Sequence, residues 1–219
     1  MTTAATVIVL AAGRGSRFGS SSHKLAQTFG SRNVLATTIA NALGSGLPTV
    51  VVTTAALVAT VQAVVAAKDI VLLPPVGSAS REPLGMGYSI ATGVAARARA
   101  SAWLVLPGDM PLIRPDTLQA VARALEVHPV AFAQYRGRRG HPVGFGAELY
   151  SELAKLSGDE GARRLVARYP AHAVEVDDPG VMFDVDTPDD LAAARVARAD
   201  ASRAPPIDNT RHRADAPAE

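Results

Sequence analysis

The chain has 219 residues, 48% of them apolar and 19% charged, so it is long enough and apolar enough to bury a globular core. Its formal net charge of +2 is too weak a bias to point to nucleic acid or a membrane surface. It has no cysteine, which excludes disulfides, thiolate metal sites and a cysteine nucleophile.

The opening residues, MTTAATVIVLAAG, lack the basic start of a secretory leader, and no run approaches the ~18 apolar residues of a membrane span. A cytoplasmic location is expected. Residues 6–12 are continuously apolar, which predicts a central strand buried on both faces. Residues 13–24 read as a Gly-rich basic loop. A helix is predicted over 32–45, with Val34, Leu35, Ile39 and Leu43 on one stripe and Gly44 and Gly46 stopping it. Residues 48–53 form the next strand, 57–67 an Ala/Val-rich helix, and 70–73 a third strand. This β-α-β repetition implies parallel strands with right-handed crossovers.

Residues 74–87, rich in Pro, Gly and Ser, read as a loop, 88–101 as a helix with Ile90 and Val94 inward, and 103–106 as the fourth strand. Pro115 suits the first position of a helix running to about Val127. The pattern then changes: a strand over 129–135, a basic turn-rich loop over 136–140, and a short strand over 141–145. A β-excursion on the main sheet accounts for this better than another crossover. Two helices over 146–156 and 160–169 and a strand over 174–176 follow. Thr187, Pro188 and Asp190 form a capping box, with Asp in place of Glu, ahead of a helix over 191–199. From about 201 little remains to bury, and a disordered tail over 201–219 is expected. The fold class is α/β: a three-layer, Rossmann-like, mostly parallel sheet with helices on both faces and a small antiparallel β-excursion.

Two features point to chemistry. A loop such as Gly13–Gly19 can approach phosphates closely, its backbone N–H groups forming an anion-binding concavity. Arg14, Arg17 and Lys24 add charge-assisted donors. The spacing matches neither the phosphate loop of ATPases nor the dinucleotide-binding fingerprint, where Phe18 replaces the last Gly. A tight connection with solvated basic residues fits it equally. The second feature is acidic. Asp109 follows a buried strand, at the end where open α/β sheets place ligands, and is a hard oxygen ligand suited to Mg²⁺ on phosphates. Gly108-Asp109-Met110-Pro111 is also good turn chemistry. Asp184 and Asp186, two residues apart in an extended segment, would face one side together and favour a cation between them.

These segments occur in one order: Leu10-Ala11-Ala12-Gly13-Arg14-Gly15-Ser16-Arg17-Phe18-Gly19 with Lys24, Gly108-Asp109-Met110-Pro111, Gly140-His141-Pro142, Gly158-Asp159-Glu160-Gly161-Ala162-Arg163, and Asp184 to Leu191. Together they resemble the nucleotidyltransferases of molybdenum-cofactor synthesis over residues 6–198. Ala12, where the guanylyl-transferring relatives have Gly, is similar to the cytidylyl branch. The resemblance implies one nucleotidyltransferase domain over 1–200. It implies cytidylyl transfer from CTP to the terminal phosphate of molybdopterin or the molybdenum cofactor, with loss of pyrophosphate.

Arg17, Lys24 and Asp109 would be catalytic. Nucleotide contacts would come from Leu10, Ala11, Ala12, Gly13, Arg14, Gly15, Ser16, Arg17, Lys24, Gly85, Ser89 and Asp109. The implied acceptor contacts are His141, Arg138, Asp159 and Arg163. Mg²⁺, with Mn²⁺ as a substitute, would be held among Asp109, Asp184 and Asp186. A monomer docking transiently on a client molybdoenzyme is expected, with neither nucleic acid nor membrane as partner. The alternatives are guanylyl transfer in the same pathway, another small-phosphate nucleotidyltransferase, and a nucleotide-binding protein without chemistry.

Overall fold

A computed structural model describes residues 4–13, 23–74, 85–159 and 161–203. The expectations for Arg14 to Gly19, for residues 75–84 and for the tail from 204 onward lie outside these residues.

The main sheet has seven strands: β1 (Thr6–Ala11), β4 (Thr49–Thr53), β5 (Ile70–Leu72), β6 (Ala102–Pro107), β7 (Val130–Tyr135), β8 (Arg138–Gly146) and β9 (Ala171–Glu175), in the order β5-β4-β1-β6-β8-β7-β9. The pairs β1–β4, β1–β6, β4–β5 and β7–β9 are parallel, whereas β8 runs antiparallel to both β6 and β7. The expected mostly parallel sheet with an antiparallel excursion is therefore present. Strand β1 is central, and alternation along it feeds two cores. Val7 and Val9 pack with α1 (Val34–Gly44), α4 (Pro115–Ala124) and α7 (Pro188–Arg203), while Ile8 packs with α3 (Gly85–Ala96), α5 (Tyr150–Leu153) and α6 (Arg163–Arg168).

Several boundaries differ from the sequence reading. A small hairpin, β2 (Thr28–Phe29) with β3 (Arg32–Asn33), precedes α1, and the Asn33 side chain caps that helix by accepting from Ala36 N–H at 2.8 Å. The helix expected over 57–67 shrinks to α2 (Val58–Gln62), whose start has no side-chain cap and which buries only Val61. Helix α3 begins at Gly85, three residues early, and α7 continues four residues past Ala199. The basic loop expected over 136–140 is mostly strand. Only Arg136 and Gly137 form the turn, with φ of 49° and 73°, the paired positive values of a tight hairpin turn.

The segment after β9 is pinned from a distance. Asp178 is buried and accepts from Arg114 N–H (2.9 Å), Thr117 Oγ1 (2.7 Å) and Gly180 N–H (2.9 Å). It thereby caps α4, whose own N-cap residue, Arg114, offers no side-chain acceptor. Gly140 completes the seat: a Cβ there would collide with the Val181 carbonyl.

Candidate active site

Strands β1 and β6 run parallel, so their carboxyl ends share one edge of the sheet. Strand β8 is antiparallel, with Val143 beside Val105, so its beginning reaches that same edge. Leu10–Gly13, Asp109, Arg139 and His141 are gathered there by topology. The ends of β1 and β6 touch through Gly108, whose N–H donates to the Leu10 carbonyl at 2.9 Å. A Cβ on Gly108 would lie 2.9 Å from that oxygen, so this position demands glycine.

Lys24 sits between two carboxylates at this edge. Its Nζ donates to Asp109 Oδ2 at 2.6 Å and to Asp186 Oδ1 at 2.5 Å. The three side chains are 14%, 15% and 30% exposed, so the cluster is largely screened from water. Burial alone would lower the Lys24 pKa; attraction and hydrogen bonds from Asp109 and Asp186 outweigh it and raise the pKa above 10.5. The other Asp109 oxygen, Oδ1, is buried and accepts no hydrogen bond among the described residues. A buried carboxylate oxygen left this way is costly unless a cation or donor meets it.

Backbone ties fix the partners of Lys24. Val185 N–H donates to the Asp109 carbonyl at 2.9 Å, while the Val185 side chain is buried in the core. Asp190 accepts from Asp186 N–H (3.2 Å), Thr187 N–H (2.8 Å) and Thr187 Oγ1 (2.7 Å), and its own N–H donates to Thr187 Oγ1 at 3.2 Å. This reciprocal cap is the one expected from the sequence, and it also holds the Asp186 backbone. His23 closes the base of the loop before Lys24. Its Nε2 lies 2.8 Å from the Gly13 carbonyl, and its Nδ1 accepts from Leu25 N–H at 3.2 Å. That pair of bonds requires the neutral Nε2–H tautomer. The sequence reading gave His23 no role; its place ten residues after Gly13 was the available signal.

The three carboxylates expected around a metal are not gathered as one group. Asp184 is exposed, and no cluster of three His, Asp or Glu side chains suited to a metal exists among the described residues. Asp109 and Asp186 remain, joined by one ammonium, with an unsatisfied buried oxygen beside them. One or two carboxylates plus substrate phosphates suffice for Mg²⁺, so this pair fits such an ion.

The remaining expected residues divide. Gly85, at φ 70°, and Gly87 lie against the 157–159 segment; Gly87 N–H donates to the Gly158 carbonyl at 2.8 Å, and a Cβ on Gly85 would lie 2.9 Å from Asp159 N. Gly85 and Asp159 are thus brought together. Ser89 turns its hydroxyl back to the Gly85 carbonyl at 3.3 Å. His141 lies in the fields of Asp109, Asp184 and Arg139; burial is the largest influence on it and leaves its pKa below 6.5. Paired residues on adjacent strands point to the same face. Arg138 pairs with Tyr135, which packs on the α1/α4/α7 core. Arg139 pairs with Gln134 and stacks over Phe132, on the face that carries α6 and Arg163. The sequence reading therefore missed Arg139, which the structure places beside Arg163 where Arg138 was expected.

No helix among the described residues is long and apolar enough to cross a membrane. The chain is 34% identical over 118 residues to the purine catabolism protein PucB of Bacillus subtilis (strain 168), covering 52% of this chain and 57% of that protein. It is 34% identical over 126 residues to the phosphoenolpyruvate guanylyltransferase of Mycolicibacterium gilvum (strain PYR-GCK), covering 57% and 56%. It spans a little over half the length of these curated relatives.

Among solved structures, Rv0371c from Mycobacterium tuberculosis H37Rv matches with a TM-score of 0.75 at 28% identity, covering 90% of this chain and 99% of that one. Its complex with manganese matches with a TM-score of 0.72 at 27% identity, covering 90% and 100%. The molybdopterin-guanine dinucleotide biosynthesis protein A of Archaeoglobus fulgidus shares the fold, with a TM-score of 0.64 at 17% identity, covering 89% and 99%. The family profile of the MobA-like NTP transferase domain matches residues 7–174, from the first strand through the last, and the chain belongs to that family.

Proposed function

We propose that this protein transfers a cytidylyl group from CTP to the terminal phosphate of molybdopterin and releases pyrophosphate. The observation that carries the transfer reading is the Asp109–Lys24–Asp186 bridge at the carboxyl edge of the sheet, with Asp109 Oδ1 buried and unsatisfied. Such an edge is where open α/β sheets hold their ligands. The choice of CTP rests on Ala12-Gly13, and the choice of acceptor on the resemblance of the ordered motifs.

An oxygen of the acceptor phosphate attacks the α-phosphorus. The bond from that phosphorus to the bridging oxygen breaks, and pyrophosphate leaves with the electron pair. The attacking phosphate is already anionic near neutral pH, so no strong base is required. The protein's task is to align the groups and neutralise developing charge. Lys24 supplies a fixed ammonium for this, and Arg14 and Arg17 in the preceding loop would add guanidinium donors to the leaving phosphates. A well-aimed donor of this kind contributes roughly 3–4 kcal/mol to the transition state. Asp109 and Asp186 would hold Mg²⁺ or Mn²⁺, which supplies charge neutralisation on the phosphates. The manganese complex of the structurally similar Rv0371c supports a divalent ion here.

Guanylyl transfer is the second reading, favoured by the 34% identity to a phosphoenolpyruvate guanylyltransferase. Pyrophosphate release separates the two. The assay uses Mg²⁺, molybdenum-loaded molybdopterin and each of CTP, GTP, ATP and UTP, with Asp109→Ala as control. CTP-selective, pterin-dependent release that the control abolishes is expected. Pterin-dependent release with GTP alone would replace the cytidylyl reading by the guanylyl one. No release with any nucleotide from folded protein would overturn both.

A further inference from the structure

Arg139 and Arg163 have no ion pair among the described residues, although carboxylates neutralise the other bridged cations of the fold. They come from motifs far apart in sequence. Arg139 opens β8, and Arg163 opens α6, whose approach is tied to α3 by the Gly87 to Gly158 hydrogen bond. The Arg139 guanidinium is held over the Phe132 ring at 4.7 Å from its centroid, so its direction is set before any ligand arrives. Desolvation and then the charge of Arg163 lower the Arg139 pKa, the signature of like charges held together. Arg139 also acts on His141, which feels Asp109 on its other side. A path of cationic groups therefore runs from the carboxylate cluster past His141 to this pair.

We propose that Arg139 and Arg163 form the binding site for the anionic phosphate of the acceptor, with Arg139 as its specificity-determining residue. The proposal rests on the nucleotidyl-transfer reading and names the group that recognises the second substrate. Two guanidiniums converging without a counter-ion repel each other, and a dianionic phosphate relieves that repulsion while accepting forked N–H donors from each. The triphosphate of the donor is the other source of the same chemistry at this edge, and the test separates the two.

The first arm is steady-state kinetics with CTP and molybdopterin. Losing one charge-assisted donor pair costs about 10- to 100-fold in affinity. Arg139→Gln and Arg163→Gln should each raise the acceptor KM by that factor, with the CTP KM changed less than about twofold, and Arg139→Lys should restore part of the loss. The effect of Arg139→Gln should exceed that of Arg138→Gln by at least about tenfold. A raised CTP KM with an unchanged acceptor KM would assign the pair to the donor and overturn the proposal, as would no change in either.

The second arm does not need turnover. Inorganic phosphate is titrated into ¹⁵N-labelled protein while the arginine Nε–H resonances are followed, with Arg139 and Arg163 assigned from the two Gln variants. Saturable shifts of both, lost together in either variant, are expected. Absence of shifts overturns the site whatever the kinetics show. If the wild type turns over no nucleotide yet both resonances respond, the function reading fails and the anion site stands.

Discussion

The bridge between Lys24 and its two carboxylates makes a quantitative demand. Replacing Lys24 by Met keeps a side chain of similar length and deletes the charge that joins Asp109 to Asp186. Removing one partner of a fully buried pair costs roughly 3–5 kcal/mol. With side chains 14–30% exposed, water screens part of this, and a loss of about 2–3 kcal/mol is expected without divalent metal. In a chain of 219 residues each kcal/mol moves Tm by roughly 2–4 °C, so the variant should melt about 4–12 °C lower. A divalent cation changes the comparison, because it can replace the missing ammonium. At 100 times its Kd it contributes about 2.7 kcal/mol to the folded state, enough to restore most of the loss. In the wild type the same cation must first displace Lys24 from Asp109 Oδ2 and Asp186 Oδ1. Mn²⁺ should therefore bind Lys24→Met at least about tenfold more tightly, and raise its Tm more, than it does for the wild type. Thermal denaturation with and without Mn²⁺, and depletion of the free Mn²⁺ resonance signal, measure both quantities. Equal or weaker Mn²⁺ binding by the variant would refute the idea that the ammonium and the metal compete for one pair of carboxylates.

Three further outcomes follow from the geometry. His141 is held neutral by burial, so below its ordinary pKa of 6.5 the unfolded chain takes up a proton that the folded chain resists. Stability should therefore fall as pH drops from 7 towards 5, and His141→Gln should flatten that part of the Tm–pH curve; an unchanged slope would show that another group causes it. Thr187→Val removes the hydroxyl of the reciprocal cap and should cost about 1 kcal/mol in chemical denaturation. Because Asp190 also holds Asp186 N–H, Mn²⁺ affinity should drop with it; a stability loss without an affinity loss would separate cap from site. Gly140→Ala drives a Cβ into the Val181 carbonyl and should cost roughly 1–3 kcal/mol, whereas Gly13→Ala, with nothing within 4 Å of its Cβ, should leave stability nearly unchanged. Urea midpoints of the two variants check this, and similar midpoints would count against the packing argument.

The strands of the parallel half were legible because they are buried on both faces: Val7, Ile8 and Val9 are all 0% exposed, and so are Val50, Val51 and Val52. The helix over 57–67 was overread because its apolar residues are Ala and Val, which suit several environments, and nothing local marks an early stop at Gln62. The hairpin over 28–33 passed unnoticed although Gly30-Ser31, a two-residue turn with Gly30 at φ 67°, announces it. Lys24, Asp109 and Asp186 could each be named from ordered motifs. Their meeting could not, since it depends on the Val185-to-Asp109 hydrogen bond and on Asp178 reaching α4 from 64 residues away. The one-residue error between Arg138 and Arg139 has the same origin. In a strand, a single step changes the face, and the register here is set by a turn confined to Arg136 and Gly137.

The reversed direction of β8 separates the ancestry of the two walls of the cleft. Leu10–Gly13 and Asp109 arrive on strands that end at the cleft, so their positions descend from the β-α-β framework itself. Arg139 and His141 arrive on a strand that begins there, fed by a hairpin whose turn can be recut without touching that framework. Insertion or exchange within one hairpin can thus remodel one wall while the opposite wall is inherited unchanged, which makes the cleft modular: a constant half bound to the scaffold, and a variable half hung from a single turn.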